Sequence, residues 1–170
     1  MNRRLIFAQA AVLLALAIPC RAADMIFLEL KGIKFGQIKG DVTQKGREGT
    51  IACLSFEQAI SVRSGANAET MTIVIRKRID KSSPLLIQAL AENQSLEARF
   101  RFWRPQIKAA TGVGSEEQFY TIDGKVGRVL SVKILSNNED KQPPLEEVTL
   151  SFSDLTWTYN EGGITYQIKK

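Results

Sequence analysis

The segment Leu96-Glu97-Ala98-Arg99-Phe100-Arg101-Phe102-Trp103 alternates apolar and polar side chains with a period of two. A helix would scatter these side chains around its axis, whereas a strand puts Leu96, Ala98, Phe100 and Phe102 on one face. Such a strand must bury that face against other elements, so it constrains the whole chain toward a packed sheet. The same period recurs in Met71, Ile73 and Ile75, with Val74 the one apolar residue on the second face, and in Ile26, Leu28 and Leu30 before Gly32. From Ile51 to Val62, the residues Ala52, Leu54, Phe56, Ile60 and Val62 share a parity that Gln58 breaks, which predicts one long strand, bulged or twisted.

Further along, Asp123-Gly124 between the runs Gln118 to Ile122 and Val126 to Leu135 predicts a hairpin turn. In the run Glu147 to Tyr159, Val148, Leu150 and Phe152 share one parity while Leu155, Trp157 and Tyr159 share the other. A β-bulge near Asp154 would explain the switch, since one extra residue rotates every later side chain to the opposite face. Gly162-Gly163 then turns the chain into a last strand, Ile164 to Ile168. One segment reads as helix, with Ser83 as N-cap, Pro84 at the first helical position and an end near Asn93. The expected fold class is mainly β, a two-sheet β-barrel or sandwich of about eight strands with one short flanking α-helix.

The pattern dissolves from Gly32 to Thr50, where Gly32, Gly36, Gly40, Gly46 and Gly49 stand among charged residues. This reads as a long polar loop, a kind of segment that commonly carries function. Pro105 to Ser115 and Ser136 to Pro144 read as further breaks.

At the N-terminus, Arg3 and Arg4 precede the apolar run Leu5 to Ile18, which ends at Pro19 before small residues at Ala22 and Ala23. That is the pattern of a secretory signal peptide, with cleavage expected after Ala22. The run is shorter than the ~20 apolar residues of a membrane span. Residues 1–22 are therefore expected to be a leader and 23–170 a single domain, secreted or periplasmic, with no stable membrane span in the mature form. A lipidated Cys20, or translation starting at Met25, ranks behind this reading. Cleavage would remove Arg3, Arg4 and Arg21 and no acid, so the formal charge of +5 falls to about +2. Near neutrality argues against nucleic acid as a partner and favours a structural or protein-binding role.

The chain has no histidine, which removes Ser-His and Cys-His pairs, histidine metal sites and the usual general base near neutral pH. Cys53 would be alone after cleavage and reads as inert packing. Glu116-Glu117 and Glu146-Glu147 read as solvated strand edges rather than a glycosidase pair. Arg76-Lys77-Arg78 and Arg99, Arg101, Trp103 and Arg104 read as strand faces rather than a single-strand nucleic-acid surface. No catalytic, cofactor-binding or metal-ligating residue is assigned and no cofactor is expected. A toxin-like hydrolase using Glu117 or Asp123 is the last-ranked reading.

Four stretches in order resemble the Hcp family, the haemolysin-coregulated tube proteins of type VI secretion systems. They are Phe27-Leu28-Glu29-Leu30-Lys31-Gly32-Ile33, Ile79-Asp80-Lys81-Ser82-Ser83-Pro84-Leu85-Leu86, Gly127-Arg128-Val129-Leu130-Ser131-Val132 and Glu147-Val148-Thr149-Leu150-Ser151-Phe152. Asp80, Lys81, Ser82, Ser83 and Pro84, leading from strand into helix, form the most specific of them. The resemblance implies a small two-sheet β-barrel with a helix on its flank, a homo-hexameric ring, and rings that stack into a hollow tube. It further implies secreted effectors or spike proteins as partners, and no enzymatic activity. It gives the loop after strand one an inter-protomer and ring-stacking role, with Phe35, Gln37, Lys39, Asp41, Lys45, Arg47 and Glu48 as its candidate contacts. Two features depart from the family: the leader itself, and Leu54-Ser55-Phe56-Glu57-Gln58, where a more aromatic stretch is usual. The rival to a ring is an exported binding module, monomeric or oligomeric, that has lost the tube role.

Overall fold

Alternation on paper becomes pairing in space in the computed structural model, which describes residues 25–62, 69–106, 115–136 and 143–170. The expected leader, its cleavage site and Cys20 lie outside the described residues. The strands are β1 (Met25–Gly32), β2 (Gly36–Ile38), β3 (Ile51–Cys53), β4 (Ser55–Val62), β5 (Glu69–Arg78), β6 (Leu96–Gln106), β7 (Ser115–Leu135), β8 (Leu145–Tyr159) and β9 (Ile164–Ile168). One helix, α1 (Ser83–Ala91), lies between β5 and β6.

The mainly β expectation holds, and the strands form a single antiparallel sheet in the order β2-β1-β6-β7-β8-β5-β4, with β3 on β1 and β9 on β8. The sheet curls around one core without its ladder closing. The alternating side chains meet there: Leu28 and Leu30 from β1, Met71, Ile73 and Ile75 from β5, Leu96, Ala98 and Phe100 from β6, and Val148 and Leu150 from β8, all buried. Each fully buried Leu, Ile or Phe side chain contributes roughly 1.5–3 kcal/mol relative to exposure. The helix adds Leu86 and Ala89.

Three local expectations are corrected. The long strand over Ile51 to Val62 is two strands, because Leu54 carries the chain from β1 to β5: Cys53 pairs with Ile26, and Ser55 with Arg76. The Leu54 amide donates to the Arg76 carbonyl at 2.7 Å, so the step costs no backbone hydrogen bond. Second, Asp123-Gly124 is not a turn, since β7 runs unbroken through it. The glycines make room for the Phe152 ring: a Cβ at Gly124 would lie 2.5 Å from Phe152 Cδ1, and one at Gly127 would collide with the same ring. Third, β8 holds no extra residue near Asp154, because Gly127–Phe152, Lys125–Asp154 and Gly124–Leu155 keep one register. The irregular backbone sits opposite, at Val126, which has φ 51 and so turns the pleat over in β7. The last strand, Ile164–Ile168, lies where the sequence placed it.

The helix also starts one residue earlier than expected. Ser82 is the N-cap residue and Pro84 falls in the first turn, and the Ser82 side chain makes no capping bond to the helix. Its hydroxyl donates instead to Asp80 Oδ1 at 2.5 Å. The C-terminus closes on Asn93 in the left-handed region, φ 48, with Asn93 N–H donating to Leu90 O and Gln94 N–H to Ala89 O.

Candidate assembly surfaces

The residues singled out from sequence fall on two neighbouring features, the strand-to-helix junction at 77–83 and the segment 32–50. At the junction, antiparallel pairing sets Arg76 opposite Glu147 and Lys77 opposite Glu146. The pleat sends the first pair outward, at 2.8 Å, and the second inward, at 2.9 Å. Lys77 and Glu146 are both 0% exposed. Glu146 as a solvated strand edge is thereby corrected: it shares the parity of Val148 and Leu150, so the sheet face that builds the core also buries this carboxylate.

Lys77 Nζ lies within 2.9 Å of Glu146 Oε1 and Asp80 Oδ1 and donates to Arg78 O at 2.8 Å and Ser83 Oγ at 3.1 Å. A buried ammonium surrounded by acceptors joins β5, β8 and the first turn of α1. Asp80 completes the junction: its Oδ1 accepts from the Ser82 amide at 2.9 Å, and its own amide donates to Ser83 Oγ at 3.1 Å. Burial alone would raise the Asp80 carboxyl, but the hydrogen bonds from Ser82 and Lys77 outweigh it and hold the pKa below the ordinary value. Asp80, Ser82 and Ser83 are thus tied into the fold, while Lys81 and Pro84 are exposed. Nearby, burial pushes the Cys53 thiol up to about 12, which keeps it protonated and suits the packing role expected for it.

The segment 32–50 is more ordered than a plain loop. Gly36–Ile38 returns along β1 as β2, and residues 40–50 fold back on themselves: Gly40 N–H donates to Gly49 O at 2.9 Å, and Gly49 N–H to Val42 O at 2.8 Å. Gly46 and Gly49 take φ of 81 and 72, which the turn between them requires. Gly40 has no room for a side chain, since a Cβ there would lie 2.7 Å from Ile51 Cα.

Of the candidate contacts in this segment, Gln37, Lys39, Asp41, Lys45 and Glu48 are exposed and Phe35 is half-buried against the core. Arg47 is the exception at 5% exposed. Its guanidinium lies 3.8 Å from the Trp103 ring centroid and 4.8 Å from that of Phe27, while Nη2 meets Glu116 Oε2 at 2.5 Å and Nη1 donates to Gln44 Oε1 at 3.1 Å. Asp41 reaches Lys81 at 3.6 Å, so the segment touches the 80–84 motif through an exposed pair.

The remaining basic residues of β6 are also paired. Arg99 meets Asp123 at 2.6 Å, Arg104 meets Glu117 at 2.6 Å, and Arg101 meets Glu29. The fate of Lys77, Glu146 and Arg47 was missed from sequence, although for the first two a signal existed. Lys77 follows the parity of Met71, Ile73 and Ile75, so a cation and an anion each extend an apolar face by one step. Arg47 had no such signal, because a loop carries no parity.

Several large apolar side chains remain exposed, among them Ile33, Leu130, Ile134, Ile164 and Tyr166. The outer edges of β2 and β9 carry no further strand among the described residues. Unpaired edges and exposed apolar side chains are the usual raw material of contacts between chains. Among the described residues no helix is long and apolar enough to cross a membrane.

Comparison with known proteins places these features in context. Residues 27–159 match the family model described as "Type VI secretion system effector, Hcp". The "Major exported protein" of Pseudomonas aeruginosa strain PAO1 is 24% identical over 165 residues, covering 83% of this chain and 92% of that protein. The structure of Hcp1 from Escherichia coli EAEC 042 superposes with a TM-score of 0.72 at 26% identity, over 85% of this chain and 98% of that one. The secreted protein Hcp3 of P. aeruginosa gives a TM-score of 0.69 at 22% identity, over 86% and 98%.

Proposed function

We propose a ring as the working form of this chain, which belongs to the Hcp family of the type VI secretion system. Like its family it is a structural protein resembling the Hcp tube component, not an enzyme. On our reading six copies form the ring, and rings stack end to end through the 32–50 segment. Secreted effectors or spike proteins would be its partners, and the leader, cleaved after Ala22, would deliver it to a secreted or periplasmic location.

The single observation that supports stacking through this segment is its construction. A polar loop with Lys39, Asp41, Lys45 and Glu48 exposed is nonetheless folded on itself and fixed to the barrel by a buried arginine. Rigid presentation of polar side chains lowers the entropy lost when a surface docks. Asp80, Ser82 and Ser83 support the ring indirectly, by fixing the start of α1 so that neighbouring copies meet an unchanging surface, while Lys81 and Pro84 of the same motif stay exposed to such a neighbour.

A second reading, an exported binding module that uses the same loop for a different protein, draws on the same rigidity. Electron microscopy of the purified protein distinguishes them. Annular particles with six-fold symmetry, some joined face to face, are expected. Featureless particles the size of one barrel would leave the binding module standing.

A further inference from the structure

We propose that Arg47 is the positioning residue of the 40–50 segment, acting as a flat plug that sets how the exposed loop residues are presented to a second copy of the chain. The inference rests on the stacking reading above and adds to it the residue on which the presentation depends. Within a segment where Lys45 and Glu48 stand in solvent, Arg47 is the one charged side chain that is buried, between two aromatic rings and a carboxylate.

Its Cζ lies over the Trp103 ring at 3.8 Å from the centroid, with the Phe27 ring centroid at 4.8 Å. Its edge meets Glu116 and Gln44, and Gln44 itself donates to Glu116 at 3.3 Å. The Arg47 carbonyl accepts from the Thr50 hydroxyl at 2.7 Å and from the Thr50 amide at 3.1 Å, so the backbone is held where the side chain enters. Three elements converge on this one side chain: β1 through Phe27, β6 through Trp103 and β7 through Glu116.

A planar, delocalised cation suits such a site, because it can stack on a ring while its fork reaches a carboxylate in its own plane. Lysine offers a point charge and no plane. The indole N–H of Trp103 is buried with no acceptor among the described residues, so stacking under Arg47, rather than a hydrogen bond, accounts for its seat. The plug also ties the loop to the end of the β6–β7 pair where β6 leaves it and β7 enters, since Glu116 stands opposite Pro105, one step from the last pair, Gln106–Ser115. The loop and this end of the β6–β7 pair thus form one composite surface, and the exposed loop residues keep their spacing only while Arg47 is seated.

The test uses the whole protein with Arg47→Ala and Arg47→Lys, read by hydrogen exchange over residues 40–50, by particle mass, and by face-to-face association in electron micrographs. For both variants, amide protection at Gly40 and Gly49 should fall by roughly ten- to a hundredfold, as expected when a stacked, desolvated cation is lost. The mass of the single ring should stay at the parent value, and face-to-face association should disappear. Unchanged protection in Arg47→Ala would overturn the positioning role, whatever the particles do. Full protection in Arg47→Lys would overturn the need for a planar fork. Lost protection with undiminished face-to-face association would instead sink the stacking reading, as would a parent protein that shows no such association at all.

Discussion

Lys77 and Arg47 are both nearly sealed from water, at 0% and 5% exposed, yet the protein seats them in opposite ways. Lys77 lies inside the barrel wall, and its point charge is met by Glu146, Asp80, Ser83 Oγ and a backbone carbonyl. Arg47 lies on the outer face of the sheet, with its Cζ 3.8 Å over the Trp103 ring centroid and one carboxylate beside it. The first site links two strands to a helix and belongs to the fold. The second links a loop to a finished sheet, so its removal is expected to leave the sheet intact. A buried charge thus has no fixed worth: its effect depends on how many counter-charges its loss would strand in a dry place.

The sharpest way to break the comparison is Lys77→Met. It would leave Glu146 and Asp80 facing each other without their cation, and a loss of about 3–5 kcal/mol in urea unfolding is expected. Adding Glu146→Leu should recover much of that loss, because the stranded carboxylate goes with it. A loss below about 1 kcal/mol for Lys77→Met would mean that the cluster is as well solvated as a surface pair, and the contrast would collapse.

Arg47→Ala should cost less, about 1–2 kcal/mol of global stability, because a stacked cation is lost while Glu116 is free to turn to water. Equal losses at the two positions would show that the loop, too, is part of the cooperative core.

Acidification sharpens the same contrast. The Asp80 pKa is lowered by folding from its ordinary 3.8, so its contribution is fully present above that value and is lost as pH falls through the lower, folded value. Urea unfolding between pH 5 and about 2 should therefore show a stability loss that Asp80→Asn partly flattens. A wild-type slope retained in full by Asp80→Asn would remove Asp80 from the account. The smallest effect is expected at the exposed Asp41–Lys81 pair, where Lys81→Ala should change stability by no more than ~0.5 kcal/mol.

The difference between the two sites also explains what could be read from sequence. Period two placed Leu96 to Trp103 and Met71 to Ile75 on their strands, because one-sided burial writes itself into alternation, while Gly162-Gly163 marked the turn before Ile164 to Ile168. The same rule, carried one step further along each strand, buries Lys77 and Glu146, although the acid pair Glu146-Glu147 taken by itself reads as a solvated strand edge. Asp123-Gly124 resembles a turn in the sequence, because a glycine that makes room for a ring and a glycine that makes a turn look alike in one dimension. Phe152 decides between them, and it lies on another strand. Arg47 was singled out, but as a residue reaching outward; its stacking partners Phe27 and Trp103 are distant in sequence, and nothing local marks the meeting.

The measurement that tests the central claim most directly is the mass in solution of the purified protein by light scattering over a wide concentration range. The account requires a species of six times the chain mass, 18.9 kDa before any leader is removed, persisting on dilution. A single chain at every concentration would contradict it, and would leave a rigid curled sheet whose loop serves some other protein.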